Sequence, residues 1–451
     1  MMGHSRNYEK AIGAALYLID VAMLCGVFYE AWERVYNPQL TRLFYWRGNI
    51  FLVALYAATL MLSFTLMKGN HPGETRLLET IASQTIGVLI TDFAAYVVLM
   101  LVFHGFVNPL PVLAMAGIQI VMLFFWDWFA HRLYNRLVPP MRLLMVYDRK
   151  SDPELALKLC GASARYEVGA SICVDEGREA IKALLPEYDA VLVALWDDQW
   201  RGWLMRQCLK RNISMLLRPT VTDVVISGMQ EKHPIDTVLL QSTGHRLSLD
   251  QRFLKRTMDL VIGAIGIVLA SPIMIAAAIA IKLDDGGPVF FRQERLTRDA
   301  KPFRVFKFRS MVPDADKDGP RWASEDDDRI TRVGRILRKT RMDELPQLFN
   351  VMRGDMSLVG PRPESPALAE EFTEKMPEFA YRLKVKAGIT GYAQVYGNYS
   401  TDPADKLLMD IMYIERYSPL LDISLMLLTA RAVLMTDKTT GVKEKETVKE
   451  G

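Results

Sequence analysis

Cysteine is scarce, four in 451 residues (Cys25, Cys160, Cys173, Cys208), and no two fall at a CxxC spacing. That excludes a disulfide framework and a cysteine zinc site, and leaves buried free thiols as the expectation. An excess of charge is missing too: 55 Lys and Arg against 52 Asp and Glu give no global reason to bind nucleic acid. There is no GxGxxG turn, and the short basic start carries no cleavable leader, because the apolar stretch behind it, Ala11 to Ala31, is long enough to span and ends without a small-residue cleavage site. Apolar surface, by contrast, is plentiful: 50% of residues are hydrophobic and the mean hydropathy is positive. Membrane segments in a chain of two or three domains account for this.

Four such segments come first, Ala11 to Ala31, Asn49 to Met67, Ile81 to Phe103 and Leu110 to Ala130, each close to the ~20 residues a bilayer core requires. Aromatics gather near their ends (Trp32, Tyr45, Trp46, Trp126, Trp128) as interfacial anchors. Arg6, Lys10, Lys68, Arg76, Arg132, Arg136 and Arg142 lie on one side, and Arg34, Arg42 and Arg47 on the other. The majority side is cytoplasmic by the positive-inside rule, which puts residue 141 onward in the cytoplasm. Asp20 and Asp92 fall inside spans; a proton path is one reading, and packing against neighbouring helices is the preferred one.

From 141 to 249 the pattern changes. Strand-like runs Arg142 to Tyr147, Val168 to Val174, Ala190 to Trp196 and Ile213 to Leu217 alternate with helical stretches Glu154 to Cys160, Arg178 to Leu185 and Trp200 to Lys210. This alternation predicts a parallel α/β sheet, a Rossmann-like module. Its first strand leads into Asp148-Arg149-Lys150-Ser151, with no glycine to admit a pyrophosphate, so a dinucleotide site is not expected. Val221 to Leu249 reads as an irregular linker.

A fifth apolar segment, Met258 to Leu283, is interrupted by Ser271-Pro272. Proline removes one helix hydrogen bond, so two halves should meet at an angle, each reaching about halfway through the hydrocarbon. A kinked span and a re-entrant hairpin fit equally on local sequence. Basic flanks at both ends (Lys255, Arg256, Lys282) favour the hairpin, with Ser271 able to serve the freed backbone groups. Downstream, the run Pro288 to Met311 predicts a strand pair turning at Asp299, with Lys307 and Arg309 on one face and Phe306 and Phe308 on the other. Those cations suit a phosphate or a solvated face equally. Pro313 to Asp328 is an acidic loop, Arg329 to Arg341 a basic amphipathic helix fitted to an anionic membrane or to docking, Lys386 to Gly397 a glycine-punctuated loop able to approach a ligand, Pro403 to Tyr417 a helix, and the tail from Thr436 polar.

The chemistry concentrates between Arg338 and Glu364. Asp343 and Glu344 stand side by side, bracketed by Arg341, Arg353 and Arg362. Asp343 reads as an N-cap, with Glu344 and Pro346 in the first turn and Gly354 as the stop, which places it at the positive end of a helix. An ordinary acidic cap has the same pattern. The arginines tilt the reading toward a phosphate site, where an ionised carboxylate serves as nucleophile or magnesium ligand.

The C-terminal 200 or so residues resemble the bacterial sugar transferases, the monotopic phosphoglycosyl transferases, and the four spans with the Rossmann-like module resemble their large members. The matching residues are Lys255-Arg256 with Asp259, Ser271-Pro272, Lys307-Phe308-Arg309-Ser310-Met311, Asp343-Glu344-Leu345-Pro346-Gln347-Leu348, Gly354-Asp355-Met356-Ser357, Val359-Gly360-Pro361-Arg362-Pro363 and Gly388-Ile389-Thr390-Gly391. Two departures are visible: Ala387 where the family has proline, and Thr297 where it has glycine. The resemblance implies a four-helix membrane domain (1–140), a Rossmann-like module (141–249) and an α+β catalytic domain (250–451) whose re-entrant helix is 258–283. It also implies transfer of a hexose 1-phosphate from a UDP-sugar to polyprenyl phosphate at the cytoplasmic face of a bacterial inner membrane, with release of UMP. Asp343 would be the nucleophile and, with Glu344, would hold Mg2+; Lys307, Arg309, Arg341, Arg353 and Arg362 would meet the substrates, and Lys255 and Arg256 the lipid phosphate, although interfacial anchoring explains those two equally well. UDP-glucose is preferred over UDP-galactose, and a homodimer is expected. The rival expectation is a catalytically silent membrane scaffold, whose mark would be a broken acidic pair.

Overall fold

The computed structural model describes residues 2–40, 44–70, 75–149, 165–232, 237–242, 247–312, 327, 329–397 and 401–434. The chain divides into two compact units, 1–218 and 219–451. Five helices are long and apolar enough to cross a membrane, four in the first unit and one in the second, and the chain is a membrane protein.

In the first unit α1 (Met2–Ala31), α2 (Trp46–Leu66), α3 (Leu77–Phe103) and α4 (Leu110–Leu137) form a bundle. Leu24, Leu60, Phe64, Val88 and Leu123 fill its interior completely buried. The chain then enters a parallel sheet of β1 (Met141–Tyr147), β2 (Tyr166–Cys173), β3 (Ala190–Ala194) and β4 (Ser214–Leu217), ordered β2-β1-β3-β4. All five residues of β3 are buried, which is why that strand is a continuous apolar run rather than an alternating one. Helices α5 (Arg178–Leu184) and α6 (Asp198–Arg211) supply crossovers, as the alternation predicts; the helix expected at Glu154 to Cys160 lies outside the described residues. At the end of β1 Asp148 Oδ2 accepts from the Trp196 backbone N–H at 2.7 Å, tying the strand ends together with a side chain.

The second unit begins with a helix where the sequence suggests none. Val221–Ser227 is a helix, α7, not irregular linker: Thr220 and Asp223 form a reciprocal capping box, and Val224 is buried against Leu407, Leu408 and Ile411. A short antiparallel pair follows, β5 (Gln230–Lys232) with β6 (Leu239–Gln241). The fifth apolar segment is then longer than the sequence suggests. It is α8, Leu249–Asp285, begun by a second capping box between Ser248 and Gln251 and running as one helix through Pro272. Pro272 cannot donate to the Val268 carbonyl one turn back, and Ser271 Oγ donates to that carbonyl instead, at 2.8 Å.

Both halves of α8 pack on the unit they belong to. Toward the N-terminus Asp259 is buried and accepts from Ser357 Oγ at 2.8 Å and from the Leu358 N–H at 3.0 Å, while Gly263 and Gly266 lie against Met352 and Leu348. Toward the C-terminus Met274, Ala277 and Ile281 pack on Phe308 and Leu337. The remaining face, with Val261, Ile265, Val268, Leu269, Ile275, Ile279 and Leu283, is exposed and apolar.

The predicted strand pair forms: β7 (Phe290–Leu296) and β8 (Pro302–Phe308) are antiparallel, with Asp299 at φ 60° in the turn. After it come α9 (Arg332–Lys339), α10 (Gln347–Arg353), β9 (Ser357–Val359), α11 (Pro366–Lys375), β10 (Gly388–Thr390), α12 (Tyr392–Tyr396), α13 (Pro403–Glu415) and α14 (Pro419–Leu434). Strands β9 and β10 are parallel, and the glycine-punctuated loop approaches backbone rather than open space. A Cβ on Gly388 would stand 2.1 Å from the Gly360 nitrogen, and one on Gly391 2.2 Å from the Gly360 carbonyl oxygen.

Candidate active site

Asp343 and Glu344 do not cap a helix. Arg341 adopts a left-handed conformation, φ 54°, which stops α9, and Met342–Glu344 form a single 3-10 turn before α10 begins at Gln347. The expected N-cap fails because Arg341 breaks the backbone on one side and Pro346 restarts it on the other. Gly354, at φ 95°, ends α10 where expected. A positive φ costs a non-glycine residue about 1 kcal/mol, and strain of this kind concentrates at functional positions.

The two carboxylates are held differently. Glu344 Oε1 takes the Lys307 ammonium at 2.8 Å and lies 3.5 Å from the Arg362 guanidinium. Asp343 accepts no hydrogen bond among the described residues. Burial pushes Asp343 up to about 6, helped by the neighbouring Glu344 charge and opposed by Lys307, Arg338 and Arg362. Burial acts in the same direction on Glu344, but Arg362, Lys307 and Arg341 outweigh it and hold Glu344 at about 2. The pair is therefore split into a carboxylate fixed in its charged form and a freer, more basic one.

Of the sequence-predicted residues, Lys307, Arg341 and Arg362 gather round this pair, whereas Arg309, Lys255, Arg256 and Arg353 engage elsewhere. Arg309 is buried against Asp285 at the end of α8. Lys255 is buried too, 2.7 Å from Asp422 and donating to the Tyr413 hydroxyl at 3.0 Å. Arg256 donates to the Val351 and Met352 carbonyls, at 2.7 and 2.8 Å, and so closes the C-terminus of α10. Arg353 is mostly exposed and 3.7 Å from Asp355.

Three contributors were not singled out from sequence. Arg338 faces Asp343 from the last turn of α9; a helical register that aligned it with the pair could have signalled it. Arg295 on β7 bridges to Glu364, and Arg382 also reaches Glu364, 3.8 and 3.5 Å away, steadying the irregular segment that follows Arg362. Asn350 is fully buried in α10: it accepts from the Phe306 N–H at 2.9 Å and donates to the Arg304 carbonyl at 2.8 Å. That side chain fixes β8, and with it Lys307, against the helix that follows the acidic turn.

Among the described residues no three acidic, histidine or cysteine side chains cluster as a metal cage. Magnesium does not need one, since it binds through one or two carboxylates plus substrate phosphate oxygens. Both cations on Glu344 make their nearest approach to Oε1, and the Asp343 carboxylate accepts no hydrogen bond among the described residues, so the donor set fits that ion.

A family model for bacterial sugar transferase matches residues 250–436. A UDP-glucose:undecaprenyl-phosphate glucose-1-phosphate transferase of Caulobacter vibrioides is 40% identical over 223 residues, 47% of this chain and 83% of that protein. A UDP-N-acetylgalactosamine-undecaprenyl-phosphate N-acetylgalactosaminephosphotransferase of Aeromonas hydrophila is 39% identical over 255 residues, 55% of this chain and 59% of its own length. The UDP-glucose:undecaprenyl-phosphate glucose-1-phosphate transferase of Escherichia coli strain K12 is 40% identical over 234 residues, half of each chain. The matched region thus spans only about half to three fifths of these last two relatives.

Proposed function

The chain belongs to the bacterial sugar transferase family, and we propose that it moves a sugar 1-phosphate from a UDP-sugar to undecaprenyl or a related polyprenyl phosphate. The observation that carries the reading is the division of labour at 343 and 344: a free, basic carboxylate beside one pinned in its charged form by Lys307 and Arg362. Asp343 Oδ attacks the phosphorus that bears the sugar, the P–O bond to the nucleoside monophosphate breaks, and UMP leaves with the electron pair. The aspartyl phosphosugar is then displaced by a lipid phosphate oxygen, which forms the lipid diphosphate sugar and regenerates the carboxylate. Two steps let a soluble and a lipid substrate use one site in turn. Arg362 and Lys307 hold Glu344 and counter the diphosphate charge, and Arg338 and Arg341 extend that positive rim. Magnesium, held by Asp343 and Glu344, would offset the charge that otherwise repels a carboxylate from a diphosphate.

Helix α8 enters and leaves one leaflet. Support comes from its two ends, both ion-paired into the same unit, Lys255 to Asp422 and Asp285 to Arg309. A crossing would put the two parts of that one unit that hold these ends on opposite faces of the membrane. The catalytic unit faces the cytoplasm of a bacterial inner membrane, where activated sugars reside, and the protein acts as a homodimer. Cysteines at Ser248 and Gly286, in a background lacking the native thiols, should react with an impermeant maleimide from the same membrane face; opposite-face labelling would make α8 a span.

The activity test is UMP release by nanodisc-held protein with magnesium and polyprenyl phosphate. The donors are UDP-glucose, UDP-galactose and UDP-N-acetylgalactosamine, the first and last being those that the relatives' names carry. Release with one donor, abolished in Asp343→Asn, is the expected result. No release from folded protein with any donor would favour the scaffold.

A further inference from the structure

The membrane bundle carries chemistry that sugar-phosphate transfer does not use. The buried side of α3 is polar: Thr80, Ser83, Gln84, Gly87, Thr91 and Asp92 share it with Val88 and Leu99, while Leu89, Phe93 and Leu101 are exposed. An apolar helix has turned its polar residues inward, where each must find a partner.

The polar groups form two levels. At one, Gln84, whose Nε2 donates to the Gly69 carbonyl at 2.9 Å, lies beside Asp20 of α1, with Asp127 of α4 close by. At the other, the Tyr56 hydroxyl of α2 donates to Asp92 Oδ1 at 2.8 Å and accepts from Gln119 Nε2 of α4 at 2.9 Å. Gln84 and Asp92 are eight residues apart on α3, as are Gln119 and Asp127 on α4, so the levels are separated by about 12 Å of helix. The hydroxyls of Thr91 and Ser63, 3.2 Å apart, lie on the same seam.

Asp20, Asp92, Asp127, Gln84 and Gln119 are all at most 3% exposed. One oxygen of each, Asp20 Oδ2, Asp92 Oδ2, Asp127 Oδ2, Gln84 Oε1 and Gln119 Oε1, has no hydrogen-bond partner among the described residues. All the side-chain orphans of the described bundle are acceptors; none is a donor. Among the described residues no lysine, arginine or histidine forms an ion pair with these carboxylates. The other titratable groups facing them are Tyr17 beside Asp20 and Cys25 beside Tyr56, both on α1, with His131 one turn beyond Asp127 on α4. Buried negative charge with surplus acceptors calls for a cation. Each level offers one or two carboxylates with amide and hydroxyl oxygens, no third acidic group among the described residues, and no substrate phosphate to complete a divalent ion's shell, so a monovalent cation suits it better.

We infer that the bundle interior binds a small monovalent cation, a proton or a sodium ion, at the level of Asp20, Gln84 and Asp127 and at that of Asp92, Tyr56 and Gln119. The test is thermal unfolding of the full chain in nanodiscs, followed by tryptophan fluorescence, for the native protein and for Asp92→Asn with Asp127→Asn. Sodium replacing choline at pH 8.5 and constant ionic strength is expected to raise the native midpoint by about 5 °C, and the variant's not at all, if the ion is sodium. A midpoint indifferent to sodium that rises as pH falls to 5.5, with a protonated-carboxyl infrared band missing from the variant, assigns the proton. Indifference to both, or the same response in the variant, overturns the inference. Asparagine removes a buried charge at nearly constant shape and UMP release reports on native structure; should the double variant not fold, Asp127→Asn alone serves the same comparison.

Discussion

Asp343→Asn should make the protein inactive and more stable. An ordinary aspartate titrates near 3.8, and burial with the Glu344 charge carries Asp343 to about 6. At about 1.4 kcal/mol per pH unit, the ionised carboxylate costs the fold up to about 3 kcal/mol at neutral pH. Asp343 is only partly buried, and solvent screening lowers this to about 2 kcal/mol. The sign follows from the direction of the shift. The fold binds the Asp343 proton more tightly than the unfolded chain does, so the cost is absent below 3.8, grows as pH rises, and is complete above about 6. Asparagine cannot ionise and escapes it. For a unit of this size about 2 kcal/mol moves a thermal midpoint by roughly 4–8 °C. Unfolding of both proteins in nanodiscs should give equal midpoints near pH 4 and a variant several degrees higher at pH 8, with UMP release gone. Glu344→Gln is the control of opposite sign, because Arg362 and Lys307 favour the Glu344 charge. A variant no more stable than the native protein at pH 8, or a gap that does not open between pH 4 and 6, would refute the reasoning.

Single-turnover UMP release should fall about tenfold per pH unit below about 6, where Asp343 becomes protonated; a flat profile would remove Asp343 as the titrating nucleophile. Lys307→Met should shift that midpoint upward, since the Lys307 charge lowers Asp343, and Glu344→Gln should shift it downward, since the Glu344 charge raises it; stopped-flow or quench measurements across pH 5–8 separate the two. Asn350→Ala leaves the Phe306 N–H and the Arg304 carbonyl without their buried partner, and should cost about 2–3 kcal/mol in denaturant unfolding and slow turnover through Lys307. Arg341→Gly should recover about 1 kcal/mol of backbone strain in the same unfolding experiment while weakening the hold on Glu344.

What could be read from the sequence was what chain neighbours decide. The alternation of strands and helices pointed to the parallel sheet, the turn at Asp299 to the β7/β8 pair, and the adjacency of Asp343 and Glu344 with nearby arginines to the candidate site. Two helix starts are legible in the same way: Thr220 with Asp223 and Ser248 with Gln251 are both capping boxes at three-residue spacing. The cations divide by the distance to their partners. Lys255 finds Asp422 and Tyr413 across more than 150 residues of chain, and Arg309 finds Asp285 at the far end of α8. No local pattern could assign those cations to the fold rather than to a phosphate.

The two departures from the family pattern make the same point in the other direction. Read singly, Thr297 for glycine and Ala387 for proline put loop shape in doubt. In the structure they meet. Thr297 Oγ1 donates to the Asp355 carbonyl at 2.9 Å and accepts the Ala387 N–H at 3.2 Å, a proton that proline would not have. A glycine at 297 would supply no hydroxyl, and the buried Ala387 N–H would then need another partner; a proline at 387 would remove the donor that Thr297 receives. Each residue therefore suits the other, and together they hold the start of β10 to the loop after α10. Two residues distant in sequence act as one interaction, and a single hydroxyl ties the loop after α10 to the start of β10.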